Sequence, residues 1–274
     1  MTQSLSQKVS LNILKSTTDI CEKLDLRYFL IYGSLIGAVR HQGFIPWDDD
    51  VDIMMPREDY NRLIKYCNKN KKELKGLEIF TPIHGQQNYP YMITRISNPN
   101  YKIEIKNETS YGMGIFIDIY PFDGLGNDLR KALQVEKKGD KISSLYYLST
   151  RKHYSKENTK GIVKNIIKFP AFIFSKLIGK SYFKNKLFEL ANTEFDHSKY
   201  VGCATWASGG IKDIFEREWF EKYVYLNFEN YKFRVPYCYD KVLTHIYGDY
   251  MELPSKKDQI GHHFYTLKGK KYDH

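Results

Sequence analysis

The chain has 274 residues, 42% hydrophobic and 15% aromatic, with a formal net charge of +10. That apolar content is enough for a buried core in one large domain or two small ones, which excludes a disordered chain, and the charge favours anionic partners. Cysteines stand far apart at 21, 67, 203 and 238 with no CxxC pair, which excludes a zinc ribbon or redox motif, and no run approaches the ~18 apolar residues of a spanning helix.

Apolar positions at Val9, Leu11, Ile13, Leu14, Ile20, Cys21 and Leu24 predict a helix over about residues 5–25. A strand over Tyr28–Tyr32 then runs into a Gly33-Ser34 turn, followed by one or two helical turns from Leu35 to His41. A loop stiffened by Pro46 leads to Trp47-Asp-Asp-Asp-Val-Asp52, and Val51–Met55 reads as a strand closed by Pro56. A helix is expected over about 57–68. Strands follow at Leu77–Phe80, Tyr91–Ile96, Tyr101–Ile105 and Ile115–Ile119, the last ended by a turn at Pro121, Asp123 and Gly124. Residues 126–200 turn helical and lysine-rich. Residues 162–180, with Lys164, Lys168, Lys176 and Lys180, read either as a helix packed with its lysines solvated or as one lying on an anionic membrane. A hairpin over Tyr225–Pro236, a helix over Asp240–Tyr247 and a polar tail complete the chain.

Four carboxylates stand within the five positions 48–52. They repel one another, and a divalent cation turns that repulsion into shared coordination. On a strand, Asp50 and Asp52 share a face, because alternate side chains do. Asp118, alone in an apolar run, would join them from a neighbouring strand and must face something positive, because an unpaired buried charge costs several kcal/mol, roughly. Together the three acids can hold one or two Mg²⁺ or Mn²⁺ ions, with the backbone of Gly33 and Ser34 and the serine hydroxyl on phosphates. Each piece alone is weak: acidic triplets often only solvate a loop, and Asp118 could be a turn residue. Arg40, His41, Arg57 and Arg95 read as phosphate contacts, the alternative being salt bridges that orient the aspartates.

GSLIGAVRHQGFIPWDDDVDIMMPREDY (33–60) resembles the signature of the LicD family, phosphorylcholine transferases related to the fukutin-related group. FIDIYPFDGL (116–125) and PYCYDKVLTHIYGDYMELP (236–254) are similar to that family's second and C-terminal blocks. The resemblance covers about 25–125 and 200–265. It implies an α+β fold: a nucleotidyltransferase-like mixed sheet flanked by helices, with an α-rich insertion. The expected parts are a catalytic core at 1–125, a basic insertion at 126–200, and a C-terminal region at 201–274 that completes the catalytic domain. It further implies Gly33 and Ser34 on nucleotide phosphates, Asp50, Asp52 and Asp118 on metal, and Asp48 assisting. The interval from Gly-Ser to the acidic strand is longer than in many nucleotidyltransferases.

By the same resemblance, the donor would be CDP-choline or a related CDP-linked compound. The acceptor would be a sugar hydroxyl of a surface glycan, such as teichoic acid, capsule or lipopolysaccharide, carried on lipid. CMP would be released, at the inner face of a bacterial membrane. No nucleic-acid partner is expected. A CDP-ribitol or CDP-glycerol donor, a true nucleotidyltransferase releasing pyrophosphate, and a non-enzymatic binding protein remain as alternatives. Walls for a quaternary ammonium would come from Trp47, Tyr89, Tyr91, Tyr111, Tyr120 and Trp206. His245, His262 and His263 are more often structural than functional.

Overall fold

The computed structural model describes residues 3–83, 89–105, 108, 110–154, 162–191, 194–207, 210–259, 261 and 265–267. Helix α1 (Leu5–Lys23) starts at a reciprocal cap: Ser4 Oγ accepts from the Gln7 N–H, and the Gln7 side chain accepts from the Ser4 N–H. Strand β1 (Phe29–Leu30) is followed by the short α2 (Tyr32–Ile36), which continues as a π-helical turn over Gly37–His41. Next come β2 (Asp52–Pro56), α3 (Arg57–Lys69), β3 (Glu78–Phe80), β4 (Thr94–Ile105) and β5 (Gly114–Gly126). Three helices follow: α4 (Leu129–Thr150), α5 (Ile162–Ile178) and α6 (Lys180–Leu190). The chain ends with β6 (Tyr200–Gly202), β7 (Phe215–Glu216), the hairpin β8 (Tyr223–Phe228) and β9 (Tyr231–Pro236), α7 (Tyr239–Tyr247) and β10 (Tyr265–Leu267).

The central sheet runs β1-β2-β5-β4-β10, with β3 on β4 and β6 on β5. β2 and β5 are parallel; their other neighbours are antiparallel, so the sheet is mixed. Helix α1 covers β4 and β5, burying Val9, Ile13, Leu14, Ile20 and Cys21 in one core with Ile53, Ile115, Ile117 and Ile119. This is the α+β architecture expected, a mixed sheet flanked by helices.

Four local expectations change. Gly33 and Ser34 do not form an open turn; they are the first turn of α2, entered through Tyr32 at φ +52°. β2 begins at Asp52, so Asp50 lies in the preceding loop and not on the strand. β4 is continuous from Thr94 to Ile105, with its register broken between Asn98 and Lys102, around Pro99. The turn expected at Pro121, Asp123 and Gly124 is instead the continuation of β5 to Gly126. Pairing with β4 stops at Ile119 and pairing with β6 starts at Asp123, so Pro121 sits where only β2 pairs with the strand.

The C-terminal region clamps the loop after α2. Glu229, at the hairpin turn, accepts through its carboxylate from the Phe44 N–H at 3.1 Å and donates its own N–H to the Gln42 carbonyl at 2.8 Å. The helical stretch is tied to the sheet side by Tyr146, whose hydroxyl donates to the Tyr89 carbonyl, and by Glu136, which accepts from the Gly210 N–H. Among the described residues no helix is long and apolar enough to cross a membrane.

Candidate active site

Three strands place a row of charge at one level of the sheet. Asp52 on β2 is the register partner of Asp118 on β5, and Asp118 is the register partner of Arg95 on β4. Register partners share a face, so acid, acid and base stand side by side. Arg95 Nε donates to Asp118 Oδ1 at 2.7 Å, supplying the positive group that a carboxylate in an apolar strand requires. Arg95 is 2% exposed, and its guanidinium lies over two rings, 3.7 Å from the Tyr91 centroid and 4.1 Å from that of Phe116. Such ring contact fixes the plane of the fork and adds cation–π attraction.

The loop and α2 bring the remaining acids down onto this row. A Cβ on Gly33 would meet Asp48 Oδ2 at 3.1 Å, so glycine lets the carboxylate approach the start of the helix. Ser34 is buried, and its hydroxyl accepts from the Asp52 N–H at 2.8 Å. That bond ties α2 to the first residue of β2 and fixes where Asp52 begins the strand. The loop itself is held from α1, where Gln7 donates to the Asp48 carbonyl at 2.9 Å. Asp50 directs its N–H towards Asp48 Oδ1 at 3.4 Å.

Electrostatics confirm the crowding. Burial and then the neighbouring Asp48, Asp49 and Asp118 push the Asp50 carboxyl up to about 8, with Arg95 opposing. Asp52 is raised well above the ordinary carboxylate range by burial, then by Asp118, Asp50 and Asp48. Repulsion among like charges therefore outweighs the one guanidinium. Phenols around the row feel the same field: Tyr32, Tyr120 and Tyr247 are all pushed up, by burial first and by Asp52 among other acids.

The basic residues separate. Arg95 belongs to the row. Arg57, expected on substrate, is turned into the core: its Nε and Nη2 hold both Asp123 oxygens at 2.7 and 2.9 Å, and the pair is nearly inaccessible. Its place at the far end of β2 from Asp52 makes it a structural clamp. Arg40 donates to the Tyr250 and Glu252 carbonyls at 2.5 and 3.3 Å and to His41 Nε2 at 3.0 Å. It forms no bond to the aspartates here; it anchors the C-terminal segment. His41 packs edge-on against Trp47 at 6.2 Å, and burial followed by Arg40 lowers its pKa, favouring the neutral ring. His245 bonds the Ile211 carbonyl at 2.8 Å against Phe215 and Trp219, a packing role. His262 and His263 lie outside the described residues.

The six aromatic wall candidates do not form one cage. Tyr89, Tyr91, Tyr111 and Trp206 cluster with Tyr147, around the face of Tyr91 that Arg95 occupies. Trp47 belongs with His41, and Tyr120 meets Tyr32 edge-on at 5.2 Å. Sequence reasoning missed Tyr32 and Tyr247 beside the acids, and Asp213, whose charge reaches both phenols. Only the fold reveals the last two, since they lie far along the chain from residues 48–52.

Asp50, Asp52 and Asp118 offer oxygen donors alone, the chemistry of a hard divalent cation. Among the described residues no three His, Cys, Asp or Glu side chains close into a ready-made cage. Mg²⁺ would not require such a cage, since it keeps several waters and is usually held by one or two carboxylates together with substrate phosphates. The raised carboxyls of Asp50 and Asp52 also favour a cation, which would offset the repulsion that raises them.

Comparison with known proteins identifies relatives of this chain. Residues 25–152 match the family described as LicD/FKTN/FKRP, nucleotidyltransferase domain. The lipopolysaccharide cholinephosphotransferase LicD of Haemophilus influenzae is 34% identical over 261 residues, 94% of each chain. An uncharacterized protein of Rickettsia typhi is 30% identical over 149 residues, 45% of this chain and 46% of its own. The ribitol 5-phosphate transferase FKRP of Homo sapiens is 41% identical over 59 residues, 22% of this chain and 10% of its own. With the first match spanning nearly all of both chains, this protein belongs to the LicD family.

Proposed function

We propose that this transferase moves phosphorylcholine from CDP-choline to a sugar hydroxyl of a cell-surface glycan, with Mg²⁺ or Mn²⁺ as cofactor and CMP as the second product. The observation that carries the reading is the register pairing of Asp52 with Asp118, next to the raised Asp50, in a chain similar over nearly its whole length to a lipopolysaccharide cholinephosphotransferase.

Asp50, Asp52 and Asp118 would hold the cation, which when bound neutralises phosphate charge during the displacement. Arg95 orients Asp118, and Ser34 sets the position of Asp52. Gly33 leaves room for Asp48 at the helix start. In the reaction the sugar oxygen forms a bond to the choline-bearing phosphorus. The bond from that phosphorus to the bridging oxygen breaks, CMP leaves with this oxygen, and the hydroxyl proton is released.

A second reading keeps the site and changes the donor. The 59-residue match to a ribitol 5-phosphate transferase favours a CDP-polyol. Product analysis separates the cases. The protein is incubated with Mg²⁺, a glycan-bearing bacterial membrane fraction, and either choline-labelled CDP-choline, CDP-ribitol or CTP. Label in the glycan with equimolar CMP is the expected result. Transfer from CDP-ribitol alone would install the second reading, and pyrophosphate from CTP would replace both with nucleotidyl transfer.

A further inference from the structure

Over residues 168–178, helix α5 turns an apolar half to solvent. Taken at 100° per residue, Phe169, Pro170, Ile173, Phe174, Leu177 and Ile178 fill one half of the helix, and all of them are exposed. Leu177 is 81% exposed and Phe169 and Phe174 are each 50% exposed. On the other half Ala171 and Phe172 are half-buried and Ser175 is fully buried, while Lys176, at the edge next to Phe169, donates its amine to the Ser149 and Arg151 carbonyls at the end of α4. So the half of the helix turned to solvent over these residues is apolar throughout. Tyr182, at the start of α6, is 53% exposed and packs edge-on against Phe183, the ring that Phe174 also meets. A globular helix has the reverse pattern, and a contiguous apolar face of this kind marks an interaction surface.

Charge decides what covers it. From Lys160 to Phe188 the sequence contains seven lysines and no Asp or Glu. Two copies meeting through this face would bring the lysines of one against those of the other. An anionic surface is attracted instead, and a bilayer offers hydrocarbon beneath anionic groups. Lysines around a Phe- and Leu-bearing face, with a Tyr at its edge, are the composition of a helix that lies in the headgroup layer. The mutual repulsion of the lysines is already felt: Lys176 and Lys184 are both lowered, by burial first and by Lys180 second.

We infer that the outer face of α5, together with Tyr182, seats the protein on an anionic phospholipid bilayer, with Phe174 and Leu177 entering the acyl boundary. This inference stands apart from the reaction: it needs neither CDP-choline nor metal. It would place the protein where a lipid-carried acceptor is found.

The test is flotation of the full chain with vesicles of phosphatidylcholine alone and of phosphatidylcholine mixed with phosphatidylglycerol. Binding is expected to the mixed vesicles, to weaken at least several-fold at high salt, and to be lost in the double variant Phe174→Glu/Leu177→Glu. Leu177 is 81% exposed and Phe174 is 50% exposed with a ring contact to Phe183, so the variant should still melt cooperatively within a few degrees of the wild type. A Leu177→Trp variant provides an independent reading, with blue-shifted emission on mixed vesicles and none on phosphatidylcholine. No binding to mixed vesicles, equal binding by the double variant, or a wild-type dimer that the double variant dissociates would each overturn the inference.

Discussion

Arg95 stands directly across from Asp118 on an antiparallel strand and donates to it from Nε at 2.7 Å. The bond divides two acids that are otherwise equivalent register partners. Asp118 is charge-compensated, whereas Asp52 is raised by burial and by its neighbours' repulsion.

Neutralising these two acids should therefore affect stability in opposite directions. Asp118→Asn leaves a buried guanidinium with only a neutral acceptor and should cost about 2–4 kcal/mol. Asp52→Asn relieves repulsion and should be neutral or stabilising without metal. Both should lower transfer at least ~100-fold if the row carries the chemistry. Urea melts of the two variants check the sign, and equal destabilisation would contradict the division.

The pH dependence of the metal-free protein follows from Asp50. Its carboxyl rises from an ordinary value near 3.8 to about 8 on folding. A raised acid binds more protons in the folded state, so its favourable contribution is full below pH ~4 and is lost as pH climbs through ~8. Between those values, the melting temperature should fall less with pH in Asp50→Asn than in the wild type. Added Mg²⁺ should restore several degrees at pH 8 in the wild type only. Parallel curves with and without Mg²⁺ would contradict this.

Ser34→Ala removes the acceptor for the Asp52 N–H. An unpaired buried N–H costs about 1–3 kcal/mol. The same change frees the start of β2, so turnover should fall more than stability alone explains. Steady-state rates measured well below the melting temperature would show this.

Arg57 offers a contrast. Arg57→Ala strands Asp123 in the core and should destabilise by about 3–5 kcal/mol. In the fraction that stays folded, KM for the donor should be unchanged. A large KM increase with intact stability would return Arg57 to the substrate site.

The sequence displayed the fold well where periodicity was strong and short-range. α1, α3, the 223–236 hairpin and α7 lie within a few residues of their expected limits. It also required a positive partner for Asp118, and Arg95 fills that place. What it could not supply was register. Whether Arg57 faces the acids or the core depends on Asp123 continuing as strand beyond Pro121, and a proline–acid–glycine run reads locally as a turn. Likewise, the role of Ser34 depends on a bond across 18 positions. The contributions of Asp213 and Tyr247 to the field around Tyr32 arise from packing alone.

The most direct measurement is calorimetric titration of CDP-choline into the wild type and Asp52→Asn, each with and without Mg²⁺. The account predicts binding by the wild type only when Mg²⁺ is present, and at least tenfold weaker binding by the variant, which retains its fold. Equal affinity in all four experiments would contradict the assignment of Asp52, Asp118 and the cation to the donor site.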